Sequence, residues 1–119
     1  MTPYELNTRI CEILDDKKAT EITVLNVTHL TVLADYFTIA TARSSSQVKA
    51  LAEAVMDKLS KQENGFEPTR VDGLNEGRWV VLDYGTSIVH IFNDETRMIY
   101  CLEKLWSDGT NIEKFEGTK

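Results

Sequence analysis

Two residues on one stretch of the chain have the right types for acid–base chemistry, Asp83 and His90. The stretch runs Trp79-Val80-Val81-Leu82-Asp83-Tyr84-Gly85-Thr86-Ser87-Ile88-Val89-His90-Ile91-Phe92. It reads as two β-rich runs separated by turn residues, the signal of a hairpin. With Tyr84 to Ser87 as the loop, Asp83 lies opposite Ile88, and Asp83 and His90 fall close to a diagonal on one face. A carboxylate beside an imidazole can relay a proton. No motif places a serine or cysteine nucleophile beside them, so a structural or partner-contacting role is favoured.

Other residues have the type but not the company. Thr41-Ala42-Arg43-Ser44-Ser45-Ser46 joins a strand to a helix N-terminus, the topology that cradles phosphate on free backbone N–H groups. It lacks the glycines and lysine of a P-loop, and Ala42 blocks the closest approach of backbone to ligand. Ordinary helix capping is favoured, with Arg43 still able to reach an anion or an acidic partner. Asp35, before Tyr36, has the place of a catalytic carboxylate at a strand start, but such an acid more often satisfies turn amides. Trp79, beside Phe92, is either a core edge or a partner hot spot. Trp106 reads as core with its N–H at the rim. Cys11 and Cys101 lie in separate helical patterns, and only His29 and His90 accompany them. No metal-ligand spacing results, and free thiols used as small hydrophobes in a reducing cytosol are expected.

The elements that must position these residues can be read in order. Thr2-Pro3-Tyr4-Glu5 is a capping box with proline at the first helical position, and Leu6, Ile10, Ile13 and Leu14 follow as one apolar stripe. Ile22 to Val27 is strand-like; Thr28 to Leu33 is a loop or a short helical turn. Tyr36 to Thr41, apolar on both faces, reads as a central strand. Ser44-Ser45-Ser46-Gln47 opens the clearest helix, carrying Val48, Leu51, Ala52, Val55, Met56 and Leu59 on one face and running to Asn64, with Gly65 as the positive-φ cap. Pro68 to Asp72 is a weak strand suited to an edge. In the hairpin, Val80, Leu82, Val89 and Ile91 share a wholly aliphatic face. Trp79, Val81, Asp83, Ile88, His90 and Phe92 share a mixed one, and a one-residue slip would scramble the two sets. Asn93 caps a third helix with Ile99, Leu102, Leu105 and Trp106 on its stripe. The expectation is an α/β single domain over residues 1–107, with a mixed five-stranded sheet and flanking helices, and a loosely ordered polar tail over 108–119.

Composition narrows the function classes. At 119 residues the chain can bury a core without staples, and 42% hydrophobic with 27% charged residues excludes a disordered chain. No apolar run approaches the roughly 18 residues of a membrane span, and Met1 leads almost directly into the first helix cap, so neither membrane insertion nor export is expected and the place is the cytoplasm. A net charge of −6 argues against direct capture of DNA or an RNA backbone, and suits docking on a basic protein surface.

With these residues laid out, the chain resembles the Iojap family, the ribosomal silencing factors. The matching residues are Ala34-Asp35-Tyr36-Phe37 with Ile39 and Thr41, then Ser44-Ser45 and Gln47-Val48 into Ala50-Leu51-Ala52. They continue through Trp79 to Gly85, Ile88 to Phe92, Glu95-Thr96-Arg97, and Tyr100 to Trp106, nearly the whole chain. Two departures, Ala42 for a common glycine and Thr86 where an aspartate often follows the glycine, weigh against a phosphate loop and leave the hairpin face untouched.

The resemblance implies a nucleotidyltransferase-like fold without the paired metal-binding carboxylates of active transferases, no cofactor and no catalysis. It implies binding to the large ribosomal subunit through its universal fourteenth protein, a steric block to the small subunit, lowered translation when nutrients are short, and a homodimer when free. Carried over by position, it implies a docking surface of Trp79, Asp83, Tyr84 and His90, with Asp35, Arg43, Ser45 and Lys49 near the second strand and helix. Trp79 would be the anchor, Asp83 a partner for a basic residue and His90 a rim group. The mixed hairpin face points the same way, being too apolar for water and too polar for a full core. Two other classes compete: a nucleotide-using transferase or hydrolase at the Thr41 to Ser46 loop with Asp35, and a homodimeric scaffold that covers its own mixed face.

Overall fold

In the computed structural model, which describes residues 2–32, 34–62, 65–94, 96–97 and 110–115, both early capping signals open helices. Helix α1 spans Pro3–Asp16. The Thr2 hydroxyl accepts from the Glu5 N–H at 3.1 Å, and the Glu5 carboxylate accepts from the Thr2 N–H at 2.9 Å. These bonds satisfy donors that a helix start otherwise leaves bare. Helix α2 spans Ser45–Gln62, with Ser44 Oγ accepting from the Gln47 N–H at 3.1 Å. The reciprocal bond reaches one residue further back than in an ordinary box, because Gln47 Oε1 accepts from the Arg43 N–H at 2.7 Å. Gly65 stands at φ +76° and donates to the Ser60 carbonyl at 2.7 Å.

The strands are β1 (Thr20–Asn26), β2 (Tyr36–Ala42), β3 (Arg70–Asp72), β4 (Trp79–Asp83), β5 (Ser87–Asn93) and β6 (Ile112–Lys114). They form one mixed sheet in the order β3-β4-β5-β2-β1-β6, in which β2 and β5 run parallel and the other neighbours antiparallel. Among the described residues the sheet therefore has six strands, not the expected five. The sixth comes from within the stretch expected to be a loose tail: β6 pairs Ile112 with Leu25 and Lys114 with Thr23. Three residues are too few to show a periodicity, and what holds them is backbone pairing to the free edge of β1. The rest of the expected third helix, with its expected stripe and Trp106, lies outside the described residues. Its start is visible, since Asn93 Oδ1 accepts from the Thr96 N–H at 2.9 Å.

The hairpin keeps the predicted register, with Asp83 opposite Ile88 and Trp79 opposite Phe92. Its aliphatic set, Val80, Leu82, Val89 and Ile91, is fully buried against both helices, where Leu6, Ile10, Leu14, Val48, Leu51 and Val55 meet it. Central β2 is buried on both faces, as its composition requires. On the face away from the helices, Leu25, Phe37, Ile39 and Phe92 form a second cluster with Val27 and Ala34.

Candidate docking surface

The second face is covered on one side and open on the other. Over β1, β2 and β5 it is sealed: Leu25, Ile39 and Phe92 have no exposure. Arg97 lies across it, its guanidinium donating to the Glu21 carbonyl at 2.5 Å, Thr41 Oγ1 at 2.7 Å and Thr23 Oγ1 at 3.1 Å. The Glu21 carbonyl is available because β1 shifts register between Thr20 and Thr23, with Glu21 at φ +48°. Over β4 the face opens: Trp79, Val81 and Asp83 are half-buried, as is Ile88 opposite Asp83. Edge strand β3 extends this surface, since Arg70 pairs with Asp83 and Asp72 with Val81. Arg70 and Asp72 form an exposed ion pair at 3.0 Å.

Trp79 is set into this surface by aromatic neighbours. Its ring centroid lies 4.9 Å from that of Phe92 and 6.0 Å from that of His90, and its indole N–H donates to His90 Nδ1 at 3.1 Å. His90 itself is only 8% exposed, with Phe37 edge-on at 5.3 Å. Burial pushes its pKa down to about 4, so the ring is neutral at pH 7. The expected rim position for His90 is thus corrected. It lies beneath the surface because β2 and the hairpin close around it. Asp83 does not meet it: Asp83 Oδ1 accepts from the Gly85 N–H at 2.8 Å, a turn-holding bond, and no acid–base pair forms.

Tyr84 is also displaced from the expected surface. The chain leaves the strand at this residue, and its ring turns to the helix side, stacking on Phe66 at 5.5 Å and retaining 5% exposure. Burial, then the Glu67 carboxylate, push its pKa up.

The remaining candidates divide between the two ends of β4, which are about 13 Å apart along the strand. At the Trp79 end, a Cβ on Gly77 would stand 2.9 Å from the Ser45 carbonyl and 3.1 Å from Lys49 Cε, so Ser45 and Lys49 pack under the chain that leads into Trp79. Arg43 is exposed at this end, beyond Ala42, which pairs with Asn93. At the Asp83 end, the Asp35 N–H donates to the Thr86 carbonyl at 2.8 Å, and its carbonyl accepts from the Val27 N–H at 2.8 Å. Within the Thr41 to Ser46 loop, the Arg43 N–H is taken by Gln47 and Ser44 caps α2, as the favoured capping role requires. Among the described residues no three His, Cys, Asp or Glu side chains gather as metal ligands. Cys11 is a buried thiol, its pKa pushed up to about 12 by burial first and then by Glu113 and Glu12, while Cys101 lies outside the described residues.

Two residues carry the site that sequence reasoning passed over. Arg97 could have been noticed as a cation just after a helix cap, where the dipole disfavours it. Gly73, at φ +81°, lets the chain pass the strand beside it: a Cβ there would fall 2.0 Å from the Trp79 carbonyl oxygen. No spacing in the sequence announces that contact.

Comparison with known proteins places the chain in a family. The family described as ribosomal silencing factor during starvation matches residues 1–119. A ribosomal silencing factor from Halalkalibacterium halodurans is 38% identical over 113 residues, covering 95% of each chain. A mouse protein named for mitochondrial assembly of the ribosomal large subunit is 26% identical over 99 residues, 82% of this chain and 43% of that one. A crystal structure of a Chromobacterium violaceum protein superposes with a TM-score of 0.84 at 36% identity, covering 89% of this chain and 87% of that one. Full-length agreement in sequence and fold leads to one conclusion: the chain belongs to the ribosomal silencing factor family.

Proposed function

We propose that the protein represses translation by docking on the large ribosomal subunit with the open half of its second sheet face, and that its bulk then keeps the small subunit from joining. The partner we assign is the subunit's universal fourteenth protein, met by Trp79 as apolar anchor and Asp83 as a charge for a basic side chain, in the cytoplasm. The observation that carries this is the half-buried Trp79, Val81, Asp83 and Ile88, an apolar patch with one acid that keeps part of its surface in solvent. The mouse relative's name, with its large ribosomal subunit, supports the choice of subunit. We read the fold as nucleotidyltransferase-like and the protein as a binding module, not an enzyme; the self-capped Thr41 to Ser46 loop supports that choice.

The test is sucrose-gradient co-sedimentation of the purified chain with separated subunits, adding small subunits last. Migration with the large subunit and suppressed joining are expected. A chain that stays at the top of the gradient, or travels with small subunits, overturns the proposal. Concentration-dependent self-association that persists in the presence of large subunits would point instead to a scaffold covering its own face.

A further inference from the structure

We propose that His90 is a positioning residue for docking: from beneath the surface its Nδ1 holds the Trp79 indole in the orientation that meets the large subunit. This rests on the docking role given above and assigns a part in it to a side chain that does not reach the partner.

The chemistry of the pair fixes its polarity. An indole nitrogen can only donate, so the 3.1 Å contact requires a lone pair on His90 Nδ1 and puts the imidazole proton on Nε2. That Nε2 is buried and has no hydrogen-bond partner among the described residues. The imidazole therefore satisfies the tryptophan on one side and leaves its own N–H orphaned on the other, an arrangement stability alone does not favour. An aliphatic side chain would fill the same space without that orphan, but would take this acceptor from the indole N–H of Trp79. What only an acceptor at this place supplies is a fixed indole. The rings of Phe37 and Phe92, 5.3 and 6.3 Å from the imidazole, hold its plane, and Phe92 lies against the indole as well. The bond engages the indole's one polar atom from inside, so what Trp79 offers a partner is apolar ring surface. An anchor held in its bound rotamer loses less freedom on binding.

The test compares the full chain with Trp79→Ala, His90→Leu and His90→Asn. Affinity for purified large subunits is measured beside the indole 15N–1H signal, assigned by its loss in Trp79→Ala. His90→Leu removes the orphaned Nε2–H and, with the acceptor, releases the indole N–H of the half-buried Trp79, whereas the amide oxygen of His90→Asn can stand where Nδ1 stood. His90→Leu is expected to weaken binding by about tenfold or more, as a hot-spot contact does, with Tm unchanged or higher and the Trp79 indole proton exchanging faster. His90→Asn is expected to restore both the signal and most of the affinity. Should His90→Leu fail to fold, His90→Ile serves as the second acceptor-free variant. Wild-type affinity in a folded acceptor-free variant, while Trp79→Ala binds weakly, overturns the positioning role and leaves the docking face standing. So does a His90→Asn variant that recovers the signal without the affinity. Trp79→Ala binding as wild type would instead remove the docking face itself.

Discussion

At the level of single residues, Trp79 and His90 share one interaction across the boundary between surface and interior. Trp79 is half-buried while the rings beneath it are buried, so shortening it removes the largest apolar element of the open face and leaves the sealed half in place. Trp79→Ala is expected to cost about 2 kcal/mol of binding, about thirtyfold in Kd for the large subunit, with an unchanged circular dichroism spectrum. His90 gives a second prediction, on stability. Its folded pKa, about 4, lies below the ordinary 6.5, so between these values the unfolded chain binds a proton that the folded chain refuses. The contribution is fully present above pH 6.5 and is lost as pH falls toward 4, on the order of 3 kcal/mol in all. Urea denaturation across that range should show this loss added to the carboxylate effects, and His90→Leu should lack it. An equal slope in the variant would place the titration elsewhere.

At the level of elements, two turns at positive φ separate conformational strain from steric conflict. Gly85, at φ +86°, has nothing within 4 Å of a would-be Cβ, so Gly85→Ala is expected to cost about 1 kcal/mol for the backbone alone. Gly73 carries a similar φ and the Trp79 carbonyl as well, so Gly73→Ala must push β4 and should cost about 3 kcal/mol or more. Denaturant midpoints check the pair; equal costs would mean that β4 yields freely at Trp79. These elements also show what a sequence displays. The hairpin register was legible because Val80, Leu82, Val89 and Ile91 are buried in one register only, and the capping boxes because their bonds are local. Tyr84 misled because strand alternation stops where the chain turns, so a residue beside Asp83 in sequence points to the other layer. Strand β6 was hidden because three residues joined by backbone bonds leave no side-chain pattern. The parallel pairing of β2 with β5, which seals His90, depends on chain separated by more than forty residues and has no local signal.

At the level of the whole molecule, charge and anchor should act on different steps of one association. The chain carries −6 overall, and the open face adds Asp83 and Asp72 with Arg70 between them. Net charge of this size acts over about a Debye length, roughly 10 Å at 0.1 M salt, and therefore on the approach to a basic surface more than on the finished contact. The buried part of the contact, centred on Trp79, is short-range and insensitive to screening, so it governs how long the complex lasts. Raising ionic strength from about 0.05 to about 0.5 M should therefore slow association by about tenfold while dissociation changes little. Trp79→Ala should do the reverse, leaving the on-rate within about threefold and speeding release. Stopped-flow mixing with isolated large subunits separates the two rates. An on-rate indifferent to salt would mean that the acidic balance of the chain has no part in finding its partner, leaving the apolar half of the face to account for the whole encounter.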